Sequence, residues 1–423
     1  MPTLAGPSTC LGCGCTCDDI RVRVSGQRII ELQNACDLGR DWFLQGADPA
    51  SGAKIEGKST TVEAALDRAA QILVTAKAPI LTGLKSLTIE AQRVAVALAD
   101  ELGAVIDSCD RADQARQQAL ARVGMITATL GEVKARADVV VFFDVDPIIT
   151  HPRHLERYSV KPEGRFLTRQ RNIIVTGMSN QTGASLFYPM KLEARLPVLS
   201  TLRALLRGAR LDATRVAAST GLTLETLRDW ASDLTNATYG ALFFGSLYDS
   251  ACIESLFLLV RDLNERTRFV AIGLGVPGNG TGAEAVLTWQ AGYPSAVDFA
   301  NGAPRSLVGD TSAGDRIARS ESDAILTLGE TRRQIPSDIP SIAIGPTAGS
   351  DRGSTVAIPS ARPGIESVGT VARVDGVMLP LRPILTSHHF AEVNLLSLLL
   401  ERVKGLKLKT VPQQSLAAET INS

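Results

Sequence analysis

The sequence predicts an α/β protein with largely parallel sheets behind a small cysteine-rich β domain. First, short and continuously apolar runs such as VVVFF at 139–143 fit strands that are covered on both faces. Second, these runs alternate with amphipathic stretches of helical period, as in βαβ units. Third, five of the seven cysteines fall within the first 36 residues, which sets the N-terminus apart from the rest.

The composition limits the kinds of function that the chain can have. A length of 423 residues predicts two or three domains. The 44 basic and 44 acidic residues cancel, which argues against a chain-wide basic field for nucleic acid or membranes. We see no secretion signal and no apolar run of about 20 residues that would cross a membrane. We therefore expect a cytoplasmic protein, in which clustered cysteines are typical of metal sites rather than disulfides.

The first 56 residues form the predicted cysteine-rich domain. Cys10, Cys13 and Cys17 have the C-x2-C-x3-C spacing, and Cys36 supplies a distant fourth thiol. This spacing suits a [4Fe-4S] cubane, because thiolates from one loop hold three irons and a later cysteine holds the fourth. Cys15 is then surplus. A zinc site with four cysteine ligands and a site that no longer holds metal are the alternatives.

Helices and strands are predicted in a regular order after this domain. The alternating run IRVRVSGQRIIEL predicts a hairpin at 20–32, and a capping box at 60–63 predicts a helix to about residue 76. An inserted helical region is predicted at about 196–234, and a hairpin at 369–381 has its turn at Asp375 and Gly376. Further helices are predicted at 88–102, 113–123, 253–263 and 394–403, and further strands at 79–83, 104–107, 139–144, 172–177, 240–245, 269–273, 324–328 and 341–344.

Residues 129–158 carry the strongest functional signal. The strand at 139–144 ends at Asp144. It is followed by Asp146 and then by His151 and His154 within one short segment. Open α/β sheets bind ligands beyond the carboxyl ends of their strands, so these histidines lie where such chemistry is expected. The alternative interpretation is that the acidic residues only end the strand and that the His and Arg residues are a solvated helix start.

The segment GLGVPGNGTG at 273–282 is the most glycine-dense part of the chain. Glycines let backbone amides approach a phosphate closely. The spacing, however, is neither G-x-G-x-x-G nor that of a Walker loop. A phosphate-binding loop and a plain flexible loop therefore both stay open.

Several segments resemble the B subunit of formylmethanofuran dehydrogenase. They are the C-x2-C-x3-C-D-D-I segment at 10–20, NACDLG, TLGEVKARADVVVFFDVDP, HPRHLERY, TWQAGYPSAVDFANG and GTVARVDGVMLPL, in this order over nearly the full chain. The resemblance implies the molybdopterin-oxidoreductase fold, in which two α/β domains hold a tungsten or molybdenum pterin between them. The expected domains are 1–56, an iron–sulfur-domain-like region, 57–175 together with 325–423, and 176–324 with the helical insertion.

The chain departs from that family in the loop DSCDRADQAR at 107–116. Active members carry a Cys or selenocysteine metal ligand in a short SVCHGP-like loop, whereas this chain has Ala112 or Asp113 there and Cys109 about four residues too early. A soft metal in a pterin dithiolene normally takes a thiolate or selenolate from the protein. The departure implies that the molybdopterin or tungstopterin is absent and that the chain has no catalytic residues.

The resemblance then points to the B subunit of the formyltransferase/hydrolase complex of methylotrophs. That complex transfers formyl from formyl-tetrahydromethanopterin to methylofuran and hydrolyses formyl-methylofuran to formate without redox chemistry. The chain is expected to be a structural member that assembles with the A, C and D subunits, of which A is the metallo-hydrolase and D is the formyltransferase. The lack of a redox step favours an empty cysteine site. The alternative is an active tungsten or molybdenum formylmethanofuran dehydrogenase.

A basic segment is the expected contact with methylofuran, whose side chain is polyglutamate. The segment contains Arg153, Arg157, Lys161 and Arg165. Arginine binds carboxylates through paired hydrogen bonds, so some of these residues are expected to hold the cofactor tail or an acidic partner. A solvated face is the alternative.

Overall fold

The computed structural model describes residues 3–45, 52–107, 111–161, 163–167, 169–177, 184–247, 249–275, 278–307, 309–329, 336, 338–351 and 353–410. The strands are β1 (Thr3–Ser8), β2 (Ile20–Ser25), β3 (Arg28–Gln33), β4 (Lys54–Ile55), β5 (Lys58–Ser59), β6 (Pro79–Thr82), β7 (Val105–Asp107), β8 (Val139–Phe143), β9 (Asn172–Gly177), β10 (Leu186–Pro189), β11 (Tyr239–Phe244), β12 (Arg268–Gly273), β13 (Val297–Asp298), β14 (Ala324–Leu328), β15 (Ser341–Gly345), β16 (Val356–Pro359), β17 (Gly369–Ala372) and β18 (Met378–Leu381).

The α-helices are α1 (Asp37–Leu44), α2 (Val62–Thr75), α3 (Ile89–Leu102), α4 (Arg111–Val123), α5 (Leu130–Arg136), α6 (Pro147–Thr150), α7 (Arg195–Leu206), α8 (Ala213–Thr220), α9 (Leu224–Thr235), α10 (Ser250–Leu263), α11 (Gly280–Ala291), α12 (Ala313–Ala318) and α13 (Glu392–Thr410).

The chain divides into two compact units. The first contains Met1–Gln45, Cys109–Gly282 and Val371–Pro380, and the second contains Gly46–Ser108, Ala283–Thr370 and Leu381–Ser423. Among the described helices, none has both the length and the apolar character needed to cross a bilayer.

A three-stranded antiparallel sheet opens the first unit. Its order is β1-β2-β3, and β2 alternates between buried Ile20, Val22 and Val24 and exposed residues between them. This period of two buries one face of the sheet. The predicted hairpin is therefore confirmed, whereas β1 was not predicted because its GPS segment lacks that alternation.

A five-stranded, all-parallel sheet forms the centre of the first unit, in the order β10-β9-β8-β11-β12. Every residue of β8 and β11 is buried, as the continuous apolar runs predicted. Helices α7, α9 and α10 contribute the apolar side chains that cover the sheet, among them Trp230, which stacks on Tyr188 at 4.7 Å between ring centroids. The chain passes from β8 to β9 and β10 on one side and returns to β11 on the other. The carboxyl ends of β8 and β11 therefore form a topological switch point.

The second unit is built on an eight-stranded sheet of order β13-β7-β6-β14-β15-β16-β4-β5. The strands from β7 to β16 in this order are parallel, and short antiparallel strands lie at both edges. Helix α13 packs against α2 and α3. The edge strands β4, β5 and β13 have two residues each, which is too short for a periodic signal.

Two local predictions can be compared directly with the structure. Thr61, rather than Thr60, caps α2, and its hydroxyl accepts a hydrogen bond from the Ala64 N–H at 3.2 Å. The hairpin of β17 and β18 is confirmed, with Gly376 at φ +81° in its turn. That left-handed conformation favours glycine because no Cβ is present to clash.

The predicted domain boundaries differ from the two compact units. The prediction grouped 57–175 with 325–423, but β8 and β9 pair with β11 and β10 rather than with β6 or β14. Apolar runs in βαβ order predict parallel strands. They do not reveal which of two similar sheets a strand joins.

Candidate functional site

The carboxyl end of β8 holds the polar residues that the sequence placed there. Asp144 adopts a left-handed φ of +50° and forms an ion pair with Arg195. Asp146 caps the short helix α6, where its carboxylate accepts from the Ile148 N–H at 2.9 Å. Gly177 lies beside Asp144, and a Cβ there would be 3.1 Å from the Asp144 carboxylate. Both aspartates thus have structural partners at this edge of the sheet.

The two histidines that follow are buried, so the interpretation of a solvated helix start is wrong for them. His151 is 1% exposed and His154 is 0% exposed. His154 packs edge-on against Phe243, with ring centroids 4.5 Å apart, and lies near Phe142. Burial lowers the pKa of His151 to about 4 and the pKa of His154 to about 3, because a charged imidazole would lose its hydration. Both rings are therefore neutral at pH 7.

These imidazoles leave three ring nitrogens without a partner among the described residues. They are Nδ1 and Nε2 of His151 and Nε2 of His154. The remaining nitrogen, His154 Nδ1, lies 3.9 Å from the Cys15 sulfur. Buried polar groups without partners are rare in proteins and often mark a bound water, an ion or a functional group.

The N-terminal cysteines are gathered beside the histidines. Cys10, Cys13, Cys15 and Cys17 are buried, and Cys36 is half-buried at the N-terminus of α1. The loop is closed by the Cys10 N–H, which donates to the Cys17 carbonyl at 2.9 Å. A Cβ on Gly39 would lie 3.1 Å from the Cys10 sulfur and 3.8 Å from the Cys36 sulfur, so α1 brings the distant fourth thiol close to the loop.

The loop is also tied to a much later part of the chain. The Val374 N–H donates to the Gly14 carbonyl at 3.1 Å, and the Thr9 hydroxyl donates to the Pro380 carbonyl at 2.9 Å. Both contacts involve the hairpin of β17 and β18. The cysteine loop therefore has neighbours from residues 151–158 and from residues 374–380.

The protonation of the thiols differs within the loop. Hydrogen bonding to Cys15 lowers the pKa of the Cys13 thiol, and the same bond, together with burial, raises the pKa of Cys15. Burial raises the pKa of Cys17 to about 12 and also raises the pKa of Cys10. In the absence of a metal, Cys13 is therefore the member of the loop that most readily becomes a thiolate.

The donor set suits a soft metal, but the cubane arrangement is not formed. Thiolates are the ligands of iron–sulfur clusters and of structural zinc. Across the residues that the structure describes, no three His, Cys, Asp or Glu side chains already surround one metal position. The iron–sulfur assignment of Cys10, Cys13, Cys17 and Cys36 therefore remains a prediction, as do its zinc and empty alternatives.

The four predicted basic residues fall into two groups. Arg153 donates to both carboxylate oxygens of Asp19, at 2.7 and 2.8 Å, and Arg157 donates to Asp18 at 2.8 Å and also to Asp19. These guanidinium groups are half-buried and attach the cysteine loop to the segment 153–157. Lys161 and Arg165 are exposed instead, and the guanidinium of Arg165 lies 5.5 Å from the centre of the Phe166 ring.

The sequence identified the histidines and arginines of this region but not the residues that they contact. Asp18 and Asp19 follow Cys17 directly, and a pair of carboxylates beside a metal motif was a visible signal of nearby cations. Cys15 was counted as surplus, although it is the thiol that contacts His154. No sequence pattern links residues that are 139 positions apart.

Two other predicted segments lie partly outside the described residues. In the loop 107–116, Cys109 and the side chains of Ala112 and Asp113 are outside them, while the backbone from Arg111 onward is helical. The glycine-rich segment 273–282 is described except for 276 and 277, and α11 begins within it at Gly280. Asn279 is buried there and accepts from the Ala372 N–H at 2.8 Å, which fixes this end of the segment.

The chain is similar in sequence to known proteins. No family model matches the sequence. The chain is 31% identical over 429 residues to the B subunit of tungsten-containing formylmethanofuran dehydrogenase 2 from Methanococcus maripaludis, which covers 94% of this chain and 98% of that protein. The Methanocaldococcus jannaschii protein of the same name is 31% identical over 428 residues, with equal coverage. The B subunit of the formyltransferase/hydrolase complex of Methylorubrum extorquens is 29% identical over 284 residues, or 65% of this chain and 74% of that protein.

The chain also superposes on solved protein structures. A chain of the Methylorubrum extorquens formyltransferase/hydrolase complex, crystallised with methylofuran, superposes with a TM-score of 0.73 at 25% identity and covers 84% of this chain and 100% of that chain. Acetylene hydratase from Pelobacter acetylenicus superposes with a TM-score of 0.65 at 13% identity over 96% of this chain and 70% of that chain, which shows a shared fold.

The fold and the cysteine-rich N-terminal sheet define a molybdopterin-oxidoreductase-like α/β protein, as the sequence predicted. Within that class, the chain belongs to the family of formylmethanofuran dehydrogenase B subunits, because it is 31% identical to members over 94% of its length. It is thus related to subunits of complexes that handle formyl groups in one-carbon metabolism.

Proposed function

We propose that the chain is a non-catalytic structural subunit of a formyltransferase/hydrolase complex. This complex transfers formyl from formyl-tetrahydromethanopterin to methylofuran and hydrolyses formyl-methylofuran to formate. The observation that carries the proposal is the residue at the family's metal-ligand position, which is Ala112 or Asp113 and not Cys. A tungsten or molybdenum pterin normally takes a thiolate or selenolate at this position. Asp113 is a ligand in principle, but the replacement of the entire loop argues for a lost site. The similarity to a chain of the methylofuran-bound complex supports the same assignment.

In this proposal the partners are the A, C and D subunits, which include the metallo-hydrolase (A) and the formyltransferase (D). The relative of known structure is itself part of an assembly of several subunits. The chain supplies no catalytic group, and it contains neither molybdopterin nor tungstopterin. The second candidate, an active tungsten or molybdenum formylmethanofuran dehydrogenase, is favoured by the two relatives with tungsten in their names.

Metal content and activity of the assembled complex separate the two candidates. The complex should be purified from its native source and assayed for formyl-methylofuran hydrolysis and for dye-linked formylmethanofuran oxidation. We expect hydrolysis, no dye reduction, and neither tungsten nor molybdenum in stoichiometric amount. Stoichiometric tungsten or molybdenum together with dye reduction would establish the dehydrogenase instead.

We also propose that the exposed part of the basic segment contacts the polyglutamate tail of methylofuran. Arg153 and Arg157 already bind Asp18 and Asp19, so Lys161 and Arg165 are the members with exposed cations. Arg136 adds a second guanidinium, 5.0 Å from the centre of the same Phe166 ring that Arg165 contacts. An aromatic ring beside two cations gives a flat, positively charged surface that suits carboxylates.

Charge reversal tests this contact without disturbing the cysteine loop. The double variant Lys161→Glu and Arg165→Glu should reduce the methylofuran that co-purifies with the complex while assembly is retained. Arg210→Glu is the matched control, because Arg210 is exposed on the turn after α7. Equal methylofuran content in the double variant, the control and the unmodified complex would refute the contact.

A further inference from the structure

The segment 285–307 presents an exposed surface without free charges. All of its residues are among those described, and the exposed ones are 288–290, 292–293, 300–304 and 307. None of these is Asp, Glu, Lys, Arg or His, whereas 21% of the whole chain is charged. The two charged residues of the segment are Asp298 and Arg305, and they pair with each other at 2.8 Å. We call the exposed residues of this segment the neutral surface.

The neutral surface carries two exposed aromatic side chains. Trp289, on the last turn of α11, is 60% exposed, and Tyr293, just after the helix, is 38% exposed. The other tryptophans, Trp42 and Trp230, are half-buried and buried. An exposed indole leaves a large apolar area in water. Because the cores of protein interfaces are enriched in aromatic residues and depleted in charged ones, the neutral surface has the composition of an interface core.

A short hairpin at 295–306 holds a third exposed apolar side chain in the same region. Its ion-paired residues also exchange two backbone hydrogen bonds, at 2.8 and 3.0 Å. The Ser306 hydroxyl donates to the Ser295 carbonyl at 2.8 Å. Leu307, which is 57% exposed, therefore lies beside the segment that follows Tyr293. Since the hairpin is already formed, a partner that binds it does not have to order the chain.

The hydroxyl groups of this hairpin are used within the protein. Small-molecule sites combine an apolar lining with a few polar groups that converge on the ligand. Here the Ser306 hydroxyl is bound to Ser295, and the Thr311 hydroxyl donates to the Ala296 carbonyl at 2.6 Å. The neutral surface thus offers apolar area more than directional hydrogen bonds, which suits another protein surface better than a small molecule.

We propose that the neutral surface binds an uncharged, apolar surface on another subunit of the formyltransferase/hydrolase complex. The inference rests on the proposed function, in which the chain assembles with the A, C and D subunits, and it adds where one of them binds. Charge complementarity sets the chemistry of the partner, because a charged surface would lose its hydration here without gaining a counter-charge. Charged residues begin again at Glu284 and Asp310 on either side of the segment, where a polar rim is expected.

Assembly of the complex tests the proposal. The double variant Trp289→Glu and Tyr293→Glu is produced with the A, C and D subunits, and native mass spectrometry follows subunit content on dilution. We expect the association of this chain to weaken by about 30-fold or more, since Trp and Tyr carry much of the binding energy of interfaces. Leu408→Glu is the matched control and should leave assembly unchanged, because Leu408 is 77% exposed but lies between Lys407 and Lys409.

The possible outcomes separate this inference from the proposed function. If the double variant assembles with the affinity of the unmodified chain, the inference is wrong and the proposed function stands. If the unmodified chain purifies from its native source without any other subunit, the proposed function is wrong. If that chain instead forms a dimer that the double variant breaks, the neutral surface binds a second copy, and the inference is also wrong.

Hydroxyl-radical footprinting keeps the proposal testable if the double variant does not fold. The unmodified complex is compared with the same complex after dissociation by dilution, and mass spectrometry measures the oxidation of the peptide that contains Trp289 and Tyr293. We expect most of this oxidation to be lost in the intact complex, because the partner subunit covers both rings. Equal oxidation of these residues in the two states would overturn the inference.

Discussion

Arg153 and Asp19 are joined by two parallel hydrogen bonds, 2.7 Å from Nη1 and 2.8 Å from Nη2 of the arginine. The residues are 134 positions apart. Arg157 contacts the same carboxylate and also Asp18, so two guanidinium groups attach the cysteine loop to the segment after β8. These contacts give Arg153 and Arg157 a structural role in fixing the position of the loop, and their role in cofactor binding stays a prediction.

Removing the Asp19 charge should therefore destabilise the loop. We expect Asp19→Asn to lower the free energy of unfolding by about 1–2 kcal/mol, because hydrogen bonds to charged partners contribute in that range and Asp19 is partly exposed. Urea denaturation measures the change. Glu31→Gln is the control, since Glu31 pairs with Arg23 on an exposed surface and should change stability by less than about 0.5 kcal/mol. Equal effects of the two variants would contradict the structural role of Asp19.

The stability of the first unit should depend on the charge of Asp138. Its carboxylate is buried and accepts from the backbone N–H groups of Tyr239 and Thr238 and from Arg169. Burial raises the pKa of Asp138, but these hydrogen bonds and the arginine charge together outweigh burial, and the pKa lies below its ordinary value. The folded protein therefore binds this proton less tightly than the unfolded chain does.

The sign of the pH dependence follows from that lowered pKa. The contribution of Asp138 is complete above the unfolded value of about pH 4 and is lost as the pH falls through the lower, folded value. We expect Asp138→Asn to be less stable than the unmodified protein at pH 7 and to lose less stability between pH 5 and pH 3. Urea midpoints over this pH range measure the effect, with the exposed Asp67→Asn as the control. If Asp138→Asn lost as much stability between pH 5 and pH 3 as the unmodified protein does, the stability would not depend on the charge of Asp138.

A buried ion-pair cluster should control the stability of the second unit. Asp298 is 0% exposed and accepts from Arg305 and Arg316, each at 2.8 Å. We expect Asp298→Ala to cost about 3 kcal/mol, because the change leaves Arg316 half-buried without this carboxylate. Thermal or urea unfolding measures it. Glu321→Gln, which affects the exposed pair with Arg319, should leave the stability nearly unchanged. If Asp298→Ala lowered the free energy of unfolding by less than about 1 kcal/mol, the remaining residues of the cluster would have rearranged to compensate for the lost carboxylate.

Gly12 should be required for the packing of the cysteine loop on α1. A Cβ at this position would lie 2.5 Å from the Leu38 carbonyl oxygen, which is backbone and has little freedom to move. We expect Gly12→Ala to lower the unfolding free energy by about 1–3 kcal/mol through overpacking. Gly6→Ala is the control, because a Cβ there meets nothing within 4 Å. A Gly12→Ala protein as stable as the control would mean that the loop shifts without cost.

The sequence predicted the parallel strands well and their sheet membership poorly. The buried runs of β8 and β11 are continuous in apolar residues, which is a local property that the chain displays. Whether β8 pairs with β11 or with β6 depends on contacts between distant segments. The same limit explains the site: His151 and His154 were identified, but their burial depends on packing from β11 and on the cysteine loop. Arg153 was likewise found, whereas its partner Asp19 was not.

The bonds of the cysteine loop to Val374 and Pro380 have a consequence for biosynthesis. A ribosome adds about 5–20 residues per second, so the roughly 360 residues between Gly14 and its partner leave the loop incomplete for tens of seconds. During that interval the nascent thiols stand open to oxidants and to whichever cation reaches them first. The thiols of the loop therefore reach their buried positions only after residues 374 and 380 have been synthesised.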